Sequence, residues 1–187
     1  MSRQTILDAA ARIFSEKGYH ATSMNDIANA VNLQKASIYY HVASKQEILL
    51  LILDEALDLV ISRVSEVISK ETAIKDKLRS AVQIYLTILT EQPNLASVLL
   101  LEHKSLKPEF HDRHVPRRDK FEQLWRDLLQ KGTDEGTFNI KDVNLTTRAL
   151  LGLMNWVVTW YKAEGALSVI EIADQYTDLI LEGILLR

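Results

Sequence analysis

The chain has 187 residues, of which 47% are hydrophobic and 25% are charged, and its formal net charge is -3. This composition is typical of a globular protein with a substantial core, and it argues against disorder. The lack of cysteine excludes disulfides, thiolate metal sites and cysteine nucleophiles. Because there is no overall positive charge, any binding of nucleic acid must use a local surface.

The N-terminal residues have the apolar spacing of an amphipathic helix rather than the pattern of a signal peptide. No apolar run approaches the roughly 20 residues that are needed to span a bilayer. We therefore expect a soluble, cytoplasmic protein.

Apolar residues recur at helical spacing along almost the whole chain, which predicts an all-α fold of about nine helices. The first helix is expected to end at Gly18, because glycine is favoured just after a helix. The other helices are predicted over residues 24–31, 34–42, 44–70, 74–90, 93–104, 108–131, 142–163 and 169–186.

Several residues mark where these helices begin, turn or break. Pro116 does not suit a continuous helix, so we expect a break or kink near Val115. Gly132 and Gly136 bracket the most obvious turn. Three serines, each followed three residues later by an acidic residue, predict capping boxes: Ser23 with Asp26, Ser44 with Glu47, and Ser168 with Glu171.

Residues 22–45 have the layout of a helix-turn-helix, in which a second helix enters the DNA major groove. On the predicted reading helix, Lys35 suits a guanine edge or a phosphate, and Ala36 suits a thymine methyl group. Ser37 suits either kind of base edge, and Tyr40 suits the DNA backbone or a base. The alternative is a three-helix subdomain that merely exposes an aromatic pair.

Phosphate contacts are expected on both sides of that helix. Thr22 and Ser23, at the start of the second helix, can offer hydroxyl and backbone N–H donors. Tyr39, His41 and Lys45 extend the clamp from the other side.

The head resembles the tetracycline-repressor (TetR) family of bacterial regulators. The resemblance covers about residues 3–50 and rests on Gly18, Thr22, Ser23, Ile27, Ala28, Val31, Leu33, Lys35, Ser37, Ile38, Tyr39, Tyr40, His41, Ser44 and Lys45. It implies that the second and third helices form the reading unit and that Tyr39, His41 and Lys45 occupy phosphate-contacting positions.

The head departs from the family pattern at two positions. Asn32 stands where the turn usually has glycine, which asparagine can replace because it tolerates a left-handed backbone. Gln34 replaces the usual Ser or Thr cap of the reading helix, which makes Gln34 a candidate for a base contact.

The last two predicted helices are apolar on too many faces for surface helices of a monomer. Packing two copies about a two-fold axis would bury those faces in a four-helix bundle, and it would also present two heads to two half-sites. A thicker monomer core is the alternative. The family resemblance points to the homodimer, because similar regulators dimerise through their last two helices.

The C-terminal half is similar to TetR-type regulators of fatty-acid and steroid catabolism, through residues 102–110, 117–125, 132–138 and 151–174. This resemblance implies an acyl-CoA or fatty-acid effector. Such a ligand needs an apolar tunnel and basic groups for its phosphates, which Arg113, Arg117, Arg118 and Lys120 would supply. The predicted effector-binding residues are Tyr85, Leu89, Leu100, His103, Arg117, Arg118, Phe121, Trp125, Asn155 and Trp156. Ordinary core and a solvated helix face are the alternatives.

Enzymatic interpretations find little support. Three histidines (His103, His111 and His114) lie close to acidic residues, but the neighbouring arginines oppose a cation. No Gly-rich phosphate loop, nucleophile elbow or HExxH motif occurs, and no cofactor is predicted.

We therefore expect a DNA-binding domain over 1–46 and an effector-binding and dimerisation domain over 47–187. The expected function is that of a ligand-responsive repressor that binds a pseudo-palindromic operator as a homodimer and is released by an apolar effector. The alternatives are a helical metal-dependent hydrolase and a helical adaptor that does not bind DNA.

Overall fold

The computed structural model describes residues 2–184 and confirms the all-α fold. Within that range there are ten α-helices, because one of the nine predicted helices is split in two. They are α1 (Arg3–Lys17), α2 (Met24–Ala30), α3 (Lys35–His41), α4 (Lys45–Ile68), α5 (Ile74–Glu91), α6 (Pro93–Ser97), α7 (His111–Asp134), α8 (Val143–Asn155), α9 (Val157–Trp160) and α10 (Val169–Ile184).

The chain forms two compact units, and each unit combines two stretches that are separate in the sequence. The first unit contains the chain up to Asp58 together with Gln92–Arg117. The second contains Leu59–Glu91 and the chain from Arg118 onward. Helices α4 and α7 therefore each cross from one unit into the other.

In the first unit, α1 supplies a fully buried apolar stripe that includes Ile6, Ala10 and Phe14. This stripe packs against α2, α6 and the turn that follows α6. Gly18 ends α1 with a φ of 83°, and its N–H donates to the carbonyl of Phe14 at 2.9 Å, as the position of the glycine predicted.

The turn between α2 and α3 has the predicted geometry. The capping box of Ser23 and Asp26 opens α2, with both reciprocal hydrogen bonds present. Asn32 then takes a left-handed conformation with a φ of 53°, which reverses the chain in place of glycine. The N–H of Leu33 closes the turn by donating to the carbonyl of Ala28 at 2.9 Å.

The cap at the start of α4 differs in one bond from the predicted box. Ser44 Oγ accepts from the N–H of Glu47 at 3.1 Å, as expected. The Glu47 carboxylate, however, accepts from the N–H of Ala43 rather than from that of Ser44. The helix then buries an apolar stripe that includes Ile48, Ile52 and other aliphatic residues.

The predicted helix over 93–104 changes pitch along its length. It begins with Pro93 in the first turn of α6, continues as a π-helical turn over Val98–Glu102, and tightens into a 3-10 turn over His103–Ser105. A second 3-10 turn, Pro108–Phe110, precedes α7.

The predicted break near Val115 is wrong, because α7 continues through Pro116, and the alternative of a kink at this position stays a prediction. Pro116 is only the sixth residue of the helix, so its missing N–H deprives a single carbonyl in the first turn of its partner. The predicted turn bracketed by Gly132 and Gly136 is present, because Gly136 has a φ of 69° and the N–H of Thr137 donates to the carbonyl of Gly132 at 2.9 Å. The end of the helix was predicted too early, since α7 runs on to Asp134. Gly132 lies inside the helix and is buried. A larger residue does not fit there, because the Phe138 ring occupies the position of a Cβ atom.

In the second unit, α5 packs along α10. Arg79 bridges the two helices by donating to Asp174 at 3.2 Å and to Asp178 at 2.5 Å. The predicted capping box of Ser168 and Glu171 precedes α10 and has both of its bonds.

The prediction of one helix over 142–163 is wrong, because the helix is interrupted at Trp156 and ends at Trp160. The predicted end of the last helix, at residues 185–186, lies outside the described residues. Within residues 2–184, no single helix has the length and hydropathy of a membrane span, although α5 taken together with residues 93–105 passes that test as a bent pair.

Candidate nucleic-acid interface and effector site

Helix α3 is anchored by one side chain and presents the rest to solvent. Ile38 is its only buried residue, at 0% exposure. The predicted base-reading side chains of Lys35, Ala36 and Ser37 are all exposed. Tyr40 is 88% exposed, which is unusual for an aromatic side chain.

The side chains that flank this face are also accessible. Tyr39 is 47% exposed, and His41 is partly exposed with its ring 5.3 Å from that of Tyr40, edge to face. Gln34 occupies the N-cap position of α3 and is exposed, and its side chain makes no capping hydrogen bond. The amide of Gln34 is therefore not committed to holding the helix.

Lys45 has a structural role that the sequence did not reveal. Its ammonium donates to the carbonyls of Tyr19 at 2.8 Å and Thr22 at 2.6 Å. It also lies 4.2 Å from the centroid of the Tyr19 ring, a cation–π contact. Burial lowers the pKa of Lys45, and the Asp26 carboxylate opposes that shift. Lys45 thus fastens the start of α4 to the loop that leads into α2.

The two predicted donors before α2 are already engaged within the head. Thr22 is 2% exposed, and it donates from Oγ1 to the carbonyl of Gly18 and from its N–H to that of Tyr19. Ser23 donates from Oγ and from its N–H to Asp26, whose pKa these bonds lower. Their role here is to fix the loop and the first turn of α2.

Gln46 forms a network that sequence reasoning missed. Its side-chain amide donates to Tyr19 Oη at 2.7 Å and to the Ser105 carbonyl at 2.9 Å, and it accepts from the N–H of Lys107 at 2.9 Å. Ser105 Oγ also lies 3.2 Å from His20 Nε2. These partners are 27 to 85 residues apart in sequence, so no local pattern could have indicated them.

In the second unit, several predicted effector-binding residues form one aromatic cluster. The rings of Tyr85 and Phe121 are 5.3 Å apart, those of Tyr85 and Trp125 are 5.8 Å apart, and all three side chains are buried. Tyr85 Oη donates to Asn155 Oδ1 at 2.7 Å. Burial raises the pKa of Tyr85.

The other predicted effector-binding residues are divided between the two units. Leu89 is buried in the second unit, whereas Trp156 is 65% exposed there. Leu100 and His103 are partly buried and belong to the first unit, as does Arg117. Their position relative to the aromatic cluster stays a prediction.

Most of the predicted basic cluster pairs with neighbouring carboxylates. In the first unit, Arg113 contacts the buried carboxylate of Asp54 at 2.7 Å, and Arg117 lies 3.8 Å from Asp54 and 3.4 Å from Asp58. Burial raises the pKa of Asp54, although the two arginines oppose the shift. Arg118 pairs with Asp119 at 3.1 Å. An anionic ligand would therefore compete with these carboxylates for the arginines.

No three His, Asp or Glu side chains within residues 2–184 are grouped so that they could hold a metal ion. The arrangement of the described residues therefore gives no support to the metal-dependent alternative.

Comparison with known proteins identifies both parts of the chain. Residues 6–61 match the model of bacterial regulatory proteins of the tetR family, and residues 71–184 match a tetracyclin repressor-like C-terminal domain. The chain is 30% identical over 186 residues to the HTH-type transcriptional repressor KstR2 of Mycolicibacterium smegmatis, which covers 97% of this chain and 90% of that protein.

Two further relatives span nearly the full length. The fatty acid metabolism regulator protein of Bacillus subtilis is 24% identical over 181 residues, covering 96% of this chain and 93% of that one. The crystal structure of the TetR family transcriptional regulator PfmR from Thermus thermophilus superposes with a TM-score of 0.87 at 36% identity, covering 95% of this chain and 97% of that one. The chain therefore belongs to the TetR family of bacterial regulators.

Proposed function

We propose that this protein is a ligand-responsive transcriptional repressor that binds a pseudo-palindromic operator as a homodimer. The observation that carries the proposal is the outward face of α3, where Tyr40 is 88% exposed beside Lys35 and Ser37 on a helix anchored by Ile38. A short helix held by one apolar residue can enter a major groove without disturbing its own core. The repressor activity named for KstR2 supports the same function.

Within this interface we assign three kinds of role. Gln34, Lys35, Ala36 and Ser37 are proposed to read bases, because they are exposed at the start of α3. Tyr39, Tyr40 and His41 are proposed to contact the DNA backbone. A third role is to hold the loop before α2 in place for phosphate contacts. We propose this role for Thr22, Ser23 and Lys45, because their donors already bind within the head.

The second unit supports a dimer through the last helices. Large apolar side chains are exposed there, including Leu145 at 65%, Trp156 at 65% and Leu179 at 63%. A groove of about 270 Å³ in the same unit is lined by Trp160, Leu167 and neighbouring residues. Exposed apolar surface of this extent favours burial against a second copy, with α8 and α10 forming the contact.

The proposed effector is an apolar small molecule, with a fatty acyl-CoA or fatty acid as the first choice. The aromatic cluster of Tyr85, Phe121 and Trp125 offers apolar surface next to one polar pair. One relative, from Bacillus subtilis, is named a fatty acid metabolism regulator protein, which supports this choice. The effector can release DNA only through its different affinity for the two states, typically about 1–3 kcal/mol.

We propose that the DNA-binding domain covers residues 1–46 and that the effector-binding and dimerisation domain covers residues 47–187. The relatives are regulators, and we propose that this chain likewise has no catalytic activity of its own and acts in the cytoplasm, where a regulator reaches bacterial DNA.

The test is operator binding by the full-length dimer, using a site selected from random duplexes. Ser37→Ala and Lys35→Ala should change which sequences bind, whereas Tyr40→Ala and His41→Ala should weaken binding to all of them. If the three single variants Tyr40→Ala, His41→Ala and Lys45→Ala all bound operator as wild type does, the assigned face would be wrong. Thermal-shift screening against fatty acids, acyl-CoAs and aromatic drugs then tests the effector class.

A further inference from the structure

The aromatic cluster of the second unit contains a polar group that the fold does not satisfy. Trp125 is fully buried, and no acceptor within residues 2–184 receives a hydrogen bond from its indole Nε1–H. Buried donors are nearly always paired, because a donor withdrawn from water without an acceptor destabilises the fold. A buried phenylalanine or leucine would have no such donor to satisfy.

The surroundings of Trp125 explain why the indole finds no acceptor. Its ring lies among those of Tyr85 and Phe121, with centroids 5.8 Å and 6.3 Å away. The polar pair of the cluster consists of the Tyr85 hydroxyl and Asn155 Oδ1, 2.7 Å apart, and neither oxygen accepts from the indole N–H. The cluster therefore combines an apolar wall with one donor that is not used by the described residues.

We propose that the Trp125 indole N–H is the specificity-determining donor of the effector site, and that it binds a carbonyl oxygen of the effector. This inference rests on the proposed function and refines it. For an acyl thioester, the carbonyl would accept from Trp125 Nε1 while the adjoining hydrocarbon lies against Phe121 and Tyr85. The site then selects apolar ligands that carry an acceptor oxygen over those that do not.

The physical reason for that selectivity is an asymmetry in hydrogen bonding. A ligand with a carbonyl satisfies the buried donor, whereas a purely apolar ligand of the same shape leaves the donor buried and unpaired. Sites that hydrogen-bond a polar group of their ligand therefore discriminate strongly against analogues that lack it. The rings are packed together in this structure, so entry of the ligand must also move them apart.

The experiment compares two probes that differ in this one oxygen. Dodecanoyl-CoA carries the thioester carbonyl, and S-dodecyl-CoA replaces it with a methylene group. By calorimetric titration of the full-length dimer, wild type should bind dodecanoyl-CoA about tenfold more tightly, which is the effect of one net hydrogen bond of about 1.4 kcal/mol. Trp125→Phe keeps an aromatic ring and removes the N–H, so it should bind both probes alike.

A second measurement uses the unaltered protein and does not depend on how well Trp125→Phe folds. Of the three tryptophans, Trp156 and Trp160 are exposed and Trp125 is buried. The indole N–H resonance that is most protected from solvent exchange should therefore belong to Trp125. It should move downfield on addition of dodecanoyl-CoA, as a newly hydrogen-bonded N–H does, and it should show no downfield movement on addition of S-dodecyl-CoA.

The outcomes separate this inference from the function on which it rests. Equal affinity of wild type for the two probes, or a preference that survives in Trp125→Phe, would overturn the role of Trp125 and leave the acyl-CoA effector in place. If the dimer binds operator but neither probe, both the role of Trp125 and the acyl-CoA effector are wrong, and only the DNA-binding half of the proposal stands.

Discussion

Replacing Lys45 by methionine should affect both the stability of the head and its affinity for DNA. The substitution keeps most of the aliphatic stem and removes the ammonium that donates to the carbonyls of Tyr19 and Thr22. Hydrogen bonds to charged groups contribute about 1.5–3 kcal/mol each. Because Lys45 is partly exposed and one ammonium serves both carbonyls, we take the lower end and expect the free energy of unfolding to fall by about 2 kcal/mol.

The expected loss of DNA affinity has a distinct signature. If the remaining N–H of Lys45 contacts a phosphate, Lys45→Met should weaken binding to all sequences equally. It should also reduce the slope of log affinity against log salt by about 0.9, the value for one phosphate. Urea unfolding and fluorescence anisotropy over a salt series measure the two effects separately.

The matched control is Lys17→Met, which removes the same charge from an exposed position in the last turn of α1. It should leave the free energy of unfolding nearly unchanged. An unfolding midpoint for Lys45→Met equal to that of wild type would refute the structural role of Lys45. If Lys45→Met lost the expected stability but kept the salt dependence of wild type, Lys45 would position the loop without contacting a phosphate.

Three further substitutions test local features of the fold. Gln46→Ala removes three hydrogen bonds from a partly buried side chain and should lower the free energy of unfolding by about 2 kcal/mol in urea; an unchanged midpoint would contradict that network. Gly132→Ala places a methyl group against the Phe138 ring and should cost about 1–3 kcal/mol. Gly183→Ala places its methyl group against none of the residues that the structure describes and should be nearly neutral, so equal effects would refute the packing argument. Because its capping bonds lower the pKa of Asp26, the stability they provide is present above the ordinary aspartate pKa of about 3.9 and is lost as the pH falls through the depressed value. The melting temperatures of wild type and Asp26→Asn should therefore become equal in acid. A difference in melting temperature that did not change with pH would argue against the bonds between Asp26 and Ser23.

The head was predictable because its signals are local. Gly18, Asn32 and the capping box of Ser23 with Asp26 each fix the backbone within a few residues, and all three have the geometry expected from sequence. The contacts of Lys45 and Gln46 could not be predicted in the same way. Both residues bind partners far away in sequence, and their side chains read equally well as solvated positions of a helix start.

The body was harder because packing there overrides local propensity. Pro116 and Gly132 usually punctuate helices, yet α7 contains both. The proline lies early enough to leave only one carbonyl without its partner, and the glycine is required by the ring of Phe138. The arginines were recognised as a cluster, but their pairing with Asp54 depends on the tertiary fold and was invisible in the sequence.

The membership of Gln92–Arg117 in the first compact unit limits how this protein can be dissected. A fragment cut within or just after α4 would lack α6 and the π-helical turn, and would bare the stripe of α1 that they cover. It would also sever Gln46 from the backbone of Ser105 and Lys107. Anyone grafting this head onto another regulator to build a chimaera should therefore transplant the downstream segment with it, or redesign the surface that the segment shields.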